Sequence, residues 1–138
     1  MHAMTAAQLG AALGGLSEAA VLERERAGEL FSVRRPARPP SREYPAFQAW
    51  PGIAGWPLSR VMRVLAPIGA TDVYGFFAAP TELLGGLTPI EALTGRWAVG
   101  TGDRALDAEA QGLLATPMPE RLEAVLQAAR ALVALRAA

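Results

Sequence analysis

Signals that start and stop helices recur at short intervals along this chain, and they restrict it to short helices joined by tight turns until its final segment. Thr5-Ala6-Ala7-Gln8 has the form of a capping box, in which the Thr hydroxyl and the Gln side chain satisfy free backbone N–H groups. Leu9, Leu13 and Leu16 follow at helical spacing, and Gly14-Gly15 ends the segment. Ser17 caps a second helix whose Val21 and Leu22 face inward while Arg24 and Arg26 point out, and Gly28 suits a left-handed terminator. The period then changes. Leu30-Phe31-Ser32-Val33-Arg34 alternates like a strand, Arg35-Pro36-Ala37-Arg38-Pro39-Pro40 makes a bend, and Arg42 to Gln48 reads as the returning strand.

Two short helices and a basic hairpin are the layout of a winged helix-turn-helix, in which the second helix enters the major groove and the wing touches phosphates. On that reading Arg24 and Arg26 face the groove, and Arg34, Arg35, Arg38 and Arg42 bind the DNA backbone. A plainer account stands beside it: Arg24 and Arg26 interleave with Glu23, Glu25 and Glu29, a spacing that makes ordinary intrahelical ion pairs. Charge distribution favours a nucleic-acid-facing front. The chain is neutral overall, yet residues 1–64 carry a net +3 and the remainder a net −3.

The middle of the chain is turn-rich. Trp50-Pro51-Gly52-Ile53-Ala54-Gly55-Trp56-Pro57 connects to a helix expected from Leu58 to Ala66, with Val61, Met62, Leu65 and Ile68 inward. Thr71 is read as the cap of a helix from Asp72 to Ala79, which Pro80 stops. Thr88-Pro89-Ile90-Glu91 is a second capping box, with proline at the first helical position, and its helix closes at Gly95. Core packing accounts for most of the aromatics here, although Trp50, Trp56 and Trp97 could also form a protein-binding patch. A helix is expected from about Arg104 to Leu114 and a long one from Pro119 onward. In the latter, Leu122, Val125, Leu126, Ala129, Leu132 and Val133 make one apolar stripe. Packing on its own domain is the favoured role of that stripe, and a dimer seam or partner helix is the alternative.

Catalysis is hard to place in such a chain. It has no cysteine, and its one histidine is His2, which removes thiol chemistry, Ser/His/Asp sets and His-based metal sites. Gly100-Thr101-Gly102 is half of a dinucleotide fingerprint without the strand-loop-helix setting, and reads as a turn before a helix beginning near Asp103. The expectation is therefore a binding protein and not an enzyme, with no cofactor and no metal. No run approaches the roughly 20 apolar residues of a membrane span, and the start lacks the pattern of a secretory signal, so the cytoplasm is the expected location.

Tyr44-Pro45-Ala46-Phe47-Gln48, then Tyr74-Gly75-Phe76-Phe77-Ala78-Ala79-Pro80, then Leu84-Gly85-Gly86-Leu87-Thr88-Pro89-Ile90-Glu91-Ala92-Leu93-Thr94-Gly95 together resemble the Xre/MbcA/ParS-type antitoxins that accompany RES-domain toxins. The likeness covers roughly residues 17–100. It implies an N-terminal region that dimerises or binds operator DNA and a C-terminal region that obstructs the toxin's active site, with the NAD chemistry belonging to the toxin. It places the inhibitory surface between Tyr74 and Gly95, on Tyr74, Phe77, Leu84, Gly85, Gly86, Thr88 and Pro89, with Arg96 and Trp97 at the edge. The chain departs from the family by continuing for over forty residues past Gly95, far enough to cover that surface.

The combined expectation is a mainly α protein. Residues 1–48 form a winged helix-turn-helix-like region with a short β-hairpin, and residues 49–138 form a small helical bundle of toxin-binding type with a C-terminal helical extension. Its function is that of an antitoxin-like, homo-oligomeric protein that neutralises a RES-type toxin and binds operator DNA. The alternatives are a winged-helix transcriptional regulator without a toxin, or a protein–protein adaptor.

Overall fold

A computed structural model describes residues 3–35, 41–96 and 107–138. It begins with a two-residue strand β1 (Ala3–Met4), followed by helices α1 (Ala6–Ala12) and α2 (Glu18–Arg26). Both caps read from the sequence are present. The Gln8 N–H donates to Thr5 Oγ1 at 3.1 Å while the Thr5 N–H donates to Gln8 Oε1 at 2.9 Å, and the Ala20 N–H donates to Ser17 Oγ at 3.1 Å. At the end of α2 the Glu29 N–H reaches back to the Arg24 carbonyl across Gly28, whose φ of 78° is the left-handed turn that glycine permits.

Strands β2 (Val33–Arg35) and β3 (Ser41–Pro45) follow, and the sheet order is β1-β3-β2, antiparallel throughout. Val33 pairs with Glu43 and Arg34 with Arg42, while Ala3 pairs with Pro45 on the other edge. The hairpin is shorter than the sequence suggests. Leu30 and Phe31 precede β2 as buried core residues, and the return strand ends at Pro45, giving way to a 3-10 turn over Ala46–Ala49. The cause is Gln48. Its buried amide accepts the Phe31 N–H at 2.9 Å and donates to the Phe31 carbonyl at 2.9 Å, so this stretch is tied by a side chain where a strand ladder was expected.

Helix α3 runs Trp56–Val64 with Pro57 in its first turn, and α4 runs Ala70–Ala78. Gly69, and not Thr71, occupies the cap position of α4, and Thr71 falls within its first turn. Helix α5 (Pro89–Thr94) has both halves of its capping box, with the Glu91 N–H on Thr88 Oγ1 at 3.1 Å and the Thr88 N–H on Glu91 Oε1 at 2.8 Å. Helix α6 (Ala108–Ala115) is capped by Asp107, and α7 (Met118–Ala137) is the long C-terminal helix. Helix α6 begins at Ala108 and not near Arg104 as expected, because Asp107 is extended and its carboxylate accepts the Ala110 N–H at 2.8 Å as a cap. Asp103, Arg104 and the Gly100-Thr101-Gly102 turn lie outside the described residues.

The chain is mainly α with one small antiparallel sheet, and one hydrophobic cluster runs through it. Leu9 and Val21 from the front, Phe31 and Phe47 from the hairpin region, and Val61, Phe77, Leu93 and Val125 from the helices behind all belong to it. Phe47 sits at the junction, its ring centroid 5.1 Å from Phe77 and 5.9 Å from Phe31. Helix α7 lies against α3 and α5 and buries Leu122, Val125, Leu126, Ala128 and Ala129, so its stripe packs on the chain's own body. The C-terminal extension is thus part of the core.

Candidate functional site

The front surface is built by α2 and the β2–β3 hairpin. Arg24 and Arg26 are both exposed on α2 but on opposite flanks of it: Arg24 borders Leu13, Leu30 and Trp56, and Arg26 borders Leu22 and Arg42 on the hairpin side. Register places Arg34 opposite Arg42, on one face of the hairpin, and like charges so placed repel unless something neutralises them. Glu25 supplies that neutralisation. Its carboxylate accepts bonds from Ser32 Oγ at 2.6 Å, from Tyr44 Oη at 2.5 Å and from Arg42 Nη1 at 3.3 Å, linking α2 to both sides of the hairpin. Burial pushes the Tyr44 hydroxyl's pKa up, and its hydrogen bond to Glu25 and the charge of that carboxylate push it the same way; Arg42 partly offsets them.

The other charges of this face are also ordered. Arg26 pairs with Glu23 at 3.0 Å, and Arg35 pairs with Glu43 at 3.1 Å. Arg24 and Arg34 are exposed and have no carboxylate partner among the described residues. Arg38 lies outside the described residues. Of the six arginines expected to meet DNA, the structure therefore describes five. Three of these hold acids that would otherwise repel phosphate, and two present uncompensated charge.

Glu25, Ser32, Tyr44 and Gln48 were not singled out as a set in the sequence, although they hold the hairpin in place. Their bonds join residues 7 to 19 positions apart, a range no local pattern reports. The only hint was that Tyr44 and Gln48 stand at the two ends of the Tyr-Pro-Ala-Phe-Gln block.

The second expected surface, from Tyr74 to Gly95, is not a projection. Phe77 and Leu84 are core side chains, Pro89 is buried in the first turn of α5, and Tyr74 is half-buried beside Phe47. Thr88 is occupied as a helix cap. Gly85 is covered by α6: a Cβ there would lie 2.6 Å from the Ala110 nitrogen, so the close approach of that helix needs glycine. Gly86, with a φ of 95°, completes the turn and is half-buried. These residues are brought together, but by packing, and the extension seals much of what a partner would touch.

What stays open is the edge of this block. A cleft of about 580 Å³ lies between the Trp50–Gly52 turn and the end of α5, walled by Ile90, Thr94, Arg96 and Arg121. Arg121 is held in place, its Nε donating to the Ala92 carbonyl at 2.8 Å and its Nη1 to the Thr116 carbonyl. Arg96 is exposed without a carboxylate partner among the described residues. Trp97 lies outside the described residues. Trp50 and Trp56 are both exposed, with the Arg60 guanidinium 5.2 Å above the Trp56 ring.

Among the described residues no group of three or more His, Cys, Asp or Glu is placed to hold a metal ion, and no helix is long and apolar enough to cross a membrane. No protein-family model, curated protein or solved structure matches the chain.

Proposed function

We propose that this chain is a DNA-binding protein of winged-helix type, with α2 as the helix that enters the major groove and the β2–β3 hairpin as the wing. The observation that carries this reading is the sheet order β1-β3-β2 with α1 and α2 inserted between β1 and β2. That arrangement puts the hairpin beside the second helix of the pair, where a wing reaches phosphates flanking the groove. The charge layout supports it. Glu23, Glu25 and Glu43 are each paired with an arginine, which reduces their repulsion of phosphate, while Arg24 and Arg34 are left to contact it. The activity is binding, with no catalytic step.

The test is a gel-shift series across salt concentration on short duplex DNA, with Arg24→Ala and Arg34→Ala beside the parent chain. Each arginine that neutralises a phosphate contributes about −0.9 to the slope of log affinity against log salt, so each substitution should flatten the slope by about that amount. A slope that stays the same in both variants refutes the wing assignment.

A second reading, neutralisation of a RES-type toxin, has one structural feature in its favour: the open cleft at Trp50 and Arg96 borders the block that resembles the antitoxins. Removing the chain beyond Arg104 is no test of it, because Leu122, Val125 and Leu126 are core residues. Co-expression of a RES-domain toxin with the full chain and with Trp50→Ala and Arg96→Glu is the suitable experiment. Growth should be rescued by the parent and lost with the variants. Full rescue by both variants would exclude the cleft as the neutralising surface.

A further inference from the structure

We propose that the groove between α4 and the C-terminal half of α7 is the interface of a two-fold homodimer, each copy seating Leu135 in the groove of the other. The groove has a volume of about 400 Å³, and Phe76 and Leu132 contribute apolar surface to it. Its edges carry the two most exposed leucines described, Leu135 at 72% and Leu83 at 60%. The rest of α7 is accounted for. One side is buried against α3 and α5, and the polar side is closed internally by Glu123, which accepts bonds from Gln127 at 3.1 Å and Arg130 at 3.3 Å. On α7 it is the groove side that carries the exposed leucine, and exposed apolar surface of this kind marks an association site.

Charge at the groove mouth selects the occupant. Asp72 on α4 faces Arg136 on α7 at 3.1 Å, and both side chains are about half exposed. A partner of a single charge sign would meet a like charge at one of the two positions. A second copy related by a two-fold axis brings the same closed pair in reversed order, so that the two pairs join in one alternating set of four charges in which Asp72 of each copy also faces Arg136 of the other. Leu135 lies one residue from Arg136 and reaches the facing groove in the same approach. The small, exposed side chain of Ala131 in the groove wall leaves room for a facing helix. This inference concerns a face separate from α2 and the hairpin and does not depend on DNA binding.

The experiment is sedimentation velocity on the full chain at tens of micromolar, without DNA, with far-UV circular dichroism confirming helix content in each variant. The parent should sediment at twice the chain mass, and Leu135→Asp at the chain mass. Asp72→Arg and Arg136→Asp should each be monomeric alone. Mixed in equal amounts they should recover the dimer. The arginine introduced on α4 of one variant then faces the aspartate introduced on α7 of the other, while the unaltered Arg136 of the first faces the unaltered Asp72 of the second. An ion pair that mattered only within one chain would not be restored by mixing. A monomeric parent, a dimer indifferent to Leu135→Asp, or a mixture that stays monomeric each overturns the proposal.

Discussion

The hairpin region and the helical region behind it are held by different means. Around the hairpin, two polar side chains add directed bonds to the apolar packing of Phe31 and Phe47: Glu25 gathers Ser32, Tyr44 and Arg42, and Gln48 binds both backbone groups of Phe31. Behind it, α7 spreads its contribution over Leu122, Val125, Leu126 and Ala129, none of which has a polar partner to lose. A hydrogen-bonded joint fixes an angle sharply but fails when one partner is removed, since the buried groups left behind are unsatisfied. A packed stripe tolerates small shifts, and its stability is the sum of many contacts. The directed joint suits the DNA-facing role proposed for the hairpin; a scaffold suits the packed one.

Three substitutions sharpen or break this contrast. The largest effect is expected at Leu126, fully buried on α7. Leu126→Ala should cost about 3 kcal/mol, combining lost transfer free energy with the cavity left behind. It should lower the urea midpoint at unchanged slope. A cost below about 1 kcal/mol would mean that α7 is an appendage and not part of the core.

Gln48→Ala comes next. It leaves the Phe31 N–H and carbonyl without their partner, and one such buried group costs about 1–3 kcal/mol, so a loss of about 2 kcal/mol is expected. The distinguishing measurement is amide hydrogen exchange at Phe31, which should speed up more than exchange in α7 does. Uniform acceleration across both regions would show that the two are not separately held.

The smallest effect belongs to Tyr44→Phe, which removes one of the three bonds to Glu25 and should cost about 1 kcal/mol at neutral pH. Its pH dependence has a definite sign. The Tyr44 hydroxyl titrates above its ordinary value of about 10, so the folded state holds that proton more tightly than the unfolded chain does. The contribution is complete below pH 10 and disappears as pH rises through the folded value. The stability gap between the parent and Tyr44→Phe should therefore narrow in alkali, as read from urea midpoints at pH 8 and at pH values above 10. The absence of any gap at pH 8 would place the tyrosine's contribution in ring packing alone, and a gap that stays constant into alkali would show that the hydroxyl's ionisation is not linked to folding.

Much of the local structure was legible in the residues themselves. The capping boxes at Thr5 and Thr88, the Ser17 cap, the turns at Gly28 and Gly95 and the stripe of α7 were all visible, because each depends on groups within about four residues or on a regular helical period. The position of the arginines on α2 and the hairpin was legible for the same reason. Tertiary structure alone decided the rest. Strand β1 is two residues long and exists only because β3 lies beside it. The return strand stops at Pro45 because Gln48 is drawn to Phe31, 17 residues away. Leu84 and Gly85, read as a surface for a partner, are covered because α6 and α7 fold back over them. Local hydrogen bonding and period write themselves into neighbouring residues. Which face meets which is set by burial between segments far apart in the chain, and apolar side chains fit many partners equally well until the whole chain is packed.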